Sequence, residues 1–309
     1  MKKTYITIMM AAMLISACGH RASSADSSNT DSTAVDSTAS ADNQGVVLQT
    51  DSIGLEREDS MAISAVSIDW PVKGCDALVK NIRQYICEEI ASNPYEEGKP
   101  DVIVFDDGKK AVKTIVNKQY DTLLESWKSD HEGGFNEGMS YSAYKHVFKL
   151  EATDRYVTYL SNAEGYMGGA HGYATSTGQT FRMSDGKRIG YHTEYNQQTE
   201  RFDIKDQTLF SNAQTPKLYA LIKEGVRSYF NEVEQDVNSD ENLKEMLIGV
   251  DDVNRIPLPT AAPYFTKEGL CFCYQQYEIA PYAAGMINFT IPYGKIRSFL
   301  TSEAQELIK

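Results

Sequence analysis

The sequence predicts an α+β fold, with antiparallel sheets packed against helices in two interlinked subdomains, and three observations predict it. Apolar residues recur at helical spacing in three long segments, β-favouring residues alternate in runs between them, and helices and strands come in separate blocks. Segregated blocks exclude a doubly wound parallel sheet, which needs strict alternation.

Residues 61–70 alternate small or polar with apolar side chains, the period-two signature of a half-buried strand, with Pro71 and Gly74 expected to end it. From Asp76 onward, Leu78, Val79, Ile82, Ile86 and Ile90 mark an amphipathic helix that stops before Pro94. A second helix carries Val112, Ile115, Val116, Tyr120, Leu123, Leu124 and Trp127, and Gly133-Gly134 marks its exit. Residues 139–183 read as successive strands, with Tyr141, Ala143, Val147, Val157, Tyr159 and Phe181 at β-favouring positions. Turns are expected around Asp154 and across residues 165–172. Thr215 and Pro216 form an N-cap and N1 pair for a helix with Leu218, Leu221, Ile222, Val226, Tyr229 and Phe230 on one stripe. Ser239, Asp240 and Glu241 cap a shorter helix through Leu247. Strands at 262–266, 270–275 and 286–291 follow, the last two joined by the loop 277–285, and Ile296, Phe299 and Leu300 belong to a closing helix.

The amino terminus reads as an export signal. Lys2 and Lys3 precede an apolar stretch at 6–15, long enough to be threaded through a membrane and too short to remain as an anchor. Ile15-Ser16-Ala17-Cys18 resembles a bacterial lipobox, so residues 1–17 are expected to be a signal peptide and Cys18 the lipidated first residue. Acyl chains there would contribute about 0.8 kcal/mol per buried methylene, enough for several chains to hold firmly. Gly19 stands where an inner-membrane retention signal has Asp, which favours the outer membrane. The expected location is therefore the cell envelope, with the periplasmic or surface face left open.

Cleavage would remove two lysines and no acid, taking the formal charge from -13 to -15. Such an acidic chain would repel nucleic-acid phosphates and suits a basic partner. Residues 18–58 are mostly Ser, Asp, Ala, Thr and Asn, a composition that cannot bury enough surface to offset ordering entropy, and they read as a tether. Asp31-Ser32-Thr33, Asp36-Ser37-Thr38 and Asp51-Ser52-Ile53 look like O-glycosylation acceptors of Bacteroidetes, or like simple low complexity. The folded part divides into 59–183 and 184–309.

Four cysteines besides Cys18 would meet an oxidising compartment. Cys75 and Cys87 fall in one helical pattern roughly 18 Å apart, beyond disulfide reach. Cys271 and Cys273 share one face of a strand and read as buried thiols. No essential disulfide, structural zinc or cofactor is expected.

Two segments stand out chemically. Residues 166–172 hold Gly168, Gly169 and His171, and residues 264–293 hold a dense tyrosine cluster with Tyr277, Glu278 and Tyr282. A histidine among glycines can act as base or ligand, but no second histidine, cysteine or acid stands at metal-site spacing from His171. Its structural role would be to bond a nearby backbone group. Glu278 sits in an aromatic loop where desolvation would raise its pKa, and its structural role would be to accept backbone or tyrosine hydrogen bonds. A glycosidase needs two carboxylates, and the chain has neither a nucleophile elbow nor a phosphate-binding loop. The tyrosines serve as core or as a stacking surface for a sugar or a partner.

These two segments resemble the paired extracytoplasmic domains of the RsiV family, lysozyme-sensing anti-sigma factors. A version of the first domain accompanies peptidoglycan deacetylases of the PdaC type. The resemblance rests on Gly168-Gly169-Ala170-His171, on Gly269-Leu270, on residues 277–285 and on Ile291-Pro292-Tyr293, and spans nearly all of 60–300. It implies a receptor for a cationic cell-wall hydrolase. On this reading neither the spanning helix and cytoplasmic segment of those regulators nor the deacetylase domain of those enzymes is expected here, so neither sigma control nor deacetylation is expected to carry over. The expectation is a non-enzymatic envelope lipoprotein that binds a lysozyme-like hydrolase or a cell-wall glycan, with Gly168, Gly169, His171, Tyr277, Glu278 and Tyr282 as candidate binding residues. The alternatives are an enzyme acting on cell-wall polysaccharide through His171 and Glu278, and a purely structural lipoprotein.

Overall fold

The computed structural model describes residues 47–93, 102–135, 138–213, 215–233 and 235–309. The expected signal peptide, Cys18 and the tether up to residue 46 lie outside the described residues. The class is α+β, built on a six-stranded sheet, a three-stranded sheet and a two-stranded hairpin.

Strands β1 (Gln49–Glu58) and β2 (Ala62–Lys73) form an antiparallel pair at one side of the large sheet. Helices α1 (Asp76–Ala91) and α2 (Gly108–Glu132) then cross over to β3 (Tyr141–Ala152), which pairs with β2 in parallel. Strands β4 (Tyr156–Tyr166), β5 (Tyr173–Arg182) and the short β6 (Arg188–Ile189) complete the sheet as an antiparallel meander.

β1 corrects the expected end of the tether, because residues 49–58 belong to the sheet. An edge strand needs only one apolar face, so the low aliphatic content concealed it: Ile53 faces α2 while Asp51, Glu56 and Glu58 stay exposed. A Cβ on Gly108, the first residue of α2, would lie 2.7 Å from both the Ile53 Cδ1 and the Trp70 Cγ. Only glycine lets the helix start this close to the strands. β2 also runs two residues past Pro71, which lies opposite Thr50 beside a register shift where a missing N–H is tolerated.

One core forms where α1 (Leu78, Ile82, Ile86, Ile90) and α2 (Ala111, Val112, Val116) cover Val66, Ile68, Trp70, Val147, Tyr159 and Phe181 of the sheet. Asp107 caps α2 by accepting from the Lys110 N–H at 2.7 Å. Cys87, Cys271 and Cys273 are buried thiols and Cys75 stands at the α1 N-cap, all four free. Burial pushes the Cys273 thiol up to about 12.

The remaining chain starts with the hairpin β7 (His192–Asn196) and β8 (Arg201–Lys205), which the sequence pattern did not reveal. Then come α3 (Pro216–Glu232), capped by Thr215 as expected, and α4 (Asp240–Met246). Strands β9 (Tyr264–Phe265), β10 (Leu270–Tyr274) and β11 (Ile287–Ile291) form a sheet in the order β11-β10-β9, and α5 (Tyr293–Ile296) and α6 (Ser302–Glu306) close the chain. A second core joins Leu218, Ile222, Val226 and Phe230 of α3 to Leu270, Phe272 and Tyr274 of β10.

This second layer covers the face of β4 and β5 that the helices leave free. The Thr158 hydroxyl donates to the Phe265 carbonyl at 2.8 Å, and the Phe265 N–H donates to the Thr180 hydroxyl at 3.0 Å. The Tyr264 ring lies directly on Gly178, where a Cβ would stand 2.2 Å from Tyr264 Cδ1.

Candidate functional site: an aromatic junction of two loops

The loop between β4 and β5 is shaped by glycine. Gly168 and Gly169 have φ of 87° and 81°, left-handed values that side chains disfavour. A Cβ on Gly168 would lie 2.8 Å from the Tyr141 hydroxyl, whereas Gly169 faces open space and its carbonyl accepts from the Tyr166 hydroxyl at 3.1 Å. The Gly172 Cα approaches the other arm so closely that a Cβ would lie 2.4 Å from the Gly165 carbonyl oxygen.

These constraints hold His171 outward at the tip. Its Nδ1 lies 2.8 Å from the Gly172 carbonyl, which can only accept, so Nδ1 carries the proton. In the neutral ring Nε2 is then an acceptor, and the Tyr277 hydroxyl stands 3.2 Å from it. The imidazole also stacks on Tyr282, with centroids 3.8 Å apart and planes 20° from parallel. Tyr277 and Tyr282 are themselves 5.8 Å apart.

The second loop is fixed by Glu278. One carboxylate oxygen accepts from the Gln275 N–H at 2.7 Å and the other from the Thr260 N–H at 2.6 Å. Burial raises the carboxyl above its ordinary value, and these backbone bonds oppose the rise. Each oxygen thus holds one backbone N–H of the loop, and the hydrogen bonds of His171 go to the Gly172 carbonyl and the Tyr277 hydroxyl. Ile279 and Ala280 are buried behind the turn, and the Tyr229 hydroxyl donates to the Ala284 carbonyl at 2.7 Å. Tyr277 is left with φ of 65° and 56% exposed.

The two loops are joined by residues that sequence reasoning missed. Gln275 pairs with β5 as a strand would: its Oε1 accepts from the Ser176 N–H at 2.9 Å and its Nε2 donates to the Ser176 carbonyl at 2.8 Å. Gln276 accepts from the Ala174 N–H at 3.2 Å. Nothing in the spacing of these glutamines announces an edge-pairing role; the nearest signal is two consecutive amides at the end of the strand expected at 270–275. Among the described residues, no group of three or more His, Cys, Asp or Glu could hold a metal ion.

Residues 194–294 match the family signature DUF3298, described as a protein of unknown function. The second loop falls inside that match and the His171 loop outside it. A crystal structure of a DUF3298 family member from Bacteroides fragilis is similar at a TM-score of 0.60 and 20% identity, covering 85% of this chain and 96% of that one. A DUF3298 family protein from Pseudomonas aeruginosa is similar at a TM-score of 0.53 and 11% identity, covering 85% of this chain and 97% of that one. No curated protein matches the chain. By fold and site the chain is an α+β protein with an exposed aromatic junction, and residues 194–294 of its second half match the DUF3298 family.

Proposed function

We propose that the protein is a non-enzymatic, lipid-anchored binding protein of the cell envelope, and that its ligand meets the junction of His171, Tyr277 and Tyr282. One observation carries this reading: Tyr277 keeps a bulky ring in water on a left-handed backbone, which is costly for a side chain that contributes no core packing. Strain retained around an exposed aromatic is characteristic of a surface held ready for contact. The lipobox-like segment ending at Cys18 supports the envelope location, and Gly19 favours the outer membrane.

The ligand is a cationic hydrolase of the lysozyme type or a cell-wall glycan. Tyrosine and histidine faces stack on sugar rings, and the same rings anchor a protein partner. The resemblance to RsiV-type receptors and the acidic balance favour the cationic protein, which would be steered to the surface.

The test is calorimetric titration of the full-length chain in detergent with lysozyme and, separately, with soluble peptidoglycan fragments. Saturable binding of either, lost in the His171→Ala/Tyr277→Ala variant, supports the reading. Turnover of peptidoglycan abolished by His171→Ala and Glu278→Gln would replace it with the enzymatic alternative. Neither binding nor turnover would leave a purely structural lipoprotein.

A further inference from the structure

The hairpin of β7 and β8 is amphipathic and gives no side chain to either core; at its base the Thr193 hydroxyl donates to the Thr260 carbonyl at 3.2 Å, and beyond that it projects. Its register sets Thr193 opposite Ile204 and Tyr195 opposite Phe202, so these four side chains share one face. The other face is polar and internally paired: Lys205 lies 3.6 Å from Asp203, which also accepts from the Asn196 amide at 3.1 Å. On the apolar face the Tyr195 and Phe202 rings meet edge to face at 5.4 Å, yet remain 55% and 56% exposed, and Ile204 is 37% exposed. A two-stranded ribbon has little stability of its own, so an apolar face left in water calls for an occupant.

The connecting residues 197–200 are Gln, Gln, Thr and Glu, so the apolar surface lies along the flank of the hairpin and its polar tip would stay in water. The occupant must therefore be broad and flat. Three side chains fall far short of the roughly 800 Å² per partner that a stable dimer buries. A bilayer to which the same chain is already attached needs no such area, because attachment makes the contact intramolecular and its effective concentration high. From Cys18 to the start of β1 there are about 30 residues, which at full extension reach at most ~100 Å, so the hairpin stays within range of the anchoring membrane.

We propose that the apolar face of the β7–β8 hairpin is a membrane-contact surface that lies flat at the headgroup layer, Tyr195 and Phe202 sitting at the interface that aromatic rings favour. The proposal rests on the reading of Cys18 as acylated, and the experiment separates the two.

The full chain, isolated from bacterial membranes, is reconstituted in phosphatidylcholine vesicles with and without bromine on the acyl chains. The Phe202→Trp form is compared with the unsubstituted chain, whose Trp70 and Trp127 set the background. The expected result is co-flotation of both forms and at least twofold quenching of the added indole emission by the brominated lipid. That quenching is lost when Tyr195→Asp and Ile204→Asp are introduced together. In the unsubstituted chain, amide exchange across 192–205 slows on vesicles. Co-flotation without quenching and without slowed exchange overturns the hairpin contact alone. A concentration-dependent blue shift that brominated lipid does not quench overturns it in favour of a second copy. Failure to co-float overturns the acylation reading, and the membrane contact with it.

Discussion

The His171 Nε2 stands 3.2 Å from the Tyr277 hydroxyl, across 106 positions of the chain, and this contact closes the junction between the two loops. Because His171 is exposed and its ring packs into neither core, His171→Ala should lower stability by less than about 1 kcal/mol while reducing ligand affinity at least tenfold. Urea unfolding beside calorimetric titration checks both halves. Tyr277→Phe keeps the ring, loses the bond, and should fall between the two.

Tyr277→Gly should separate stability from function. A left-handed backbone costs a non-glycine residue roughly 1–2 kcal/mol, partly offset by the entropy glycine loses on folding. Stability should be unchanged or rise by up to about 1 kcal/mol, with binding abolished. A clear drop in the thermal midpoint would show that the Tyr277 ring holds the loop together.

Glu278→Gln should destabilise by about 1–3 kcal/mol, because an amide has one acceptor oxygen and two N–H groups need one each. Its –NH2 would face a backbone donor. Denaturant unfolding measures this loss, and hydrogen exchange should place it at the Thr260 and Gln275 amides.

Stability should depend on pH through two sets of carboxyls with opposite signs. Burial raises Glu278 above 4.5 and Glu89 likewise, so their contribution is present below the unfolded value and is lost as pH rises through the folded one. Hydrogen bonding from Arg182 lowers Asp185, and that from Lys223 lowers Asp240, so theirs is present above 3.8 and lost as pH falls through the folded values. Burial lowers the His146 imidazole, so its contribution is lost as pH falls below 6.5 and opposes the gain from the two glutamates; the urea midpoint should fall below 3.8, and Glu278→Gln should lose the gain between pH 7 and 4.5. Asp185→Asn should flatten the acid limb.

Gly178→Ala should cost about 1–3 kcal/mol through overlap with the Tyr264 ring. The Tyr264→Leu background should relieve part of that cost, and a double-mutant cycle in urea measures the coupling.

The fold was legible where sequence and packing share one period. The stripes of α1, α2 and α3 face the cores as read, and the Thr215–Pro216 start appears at its position. β1 and the β7–β8 hairpin were hidden because an edge strand and an exposed ribbon need few apolar residues. Residues around His171 and Tyr277 were marked by glycine and tyrosine density, which says where a loop is unusual, and by the resemblance to RsiV-type domains. Their meeting was not legible, because it depends on the Gln275 and Gln276 amides completing the edge of β5.

The imidazole of His171 offers the most direct reading of the central claim. Its ring resonances should shift on titration of the full-length chain with lysozyme or with peptidoglycan fragments, while those of His131, His146 and His192 stay in place. A His171 signal unmoved at saturating ligand would contradict the assignment of this junction as the binding surface.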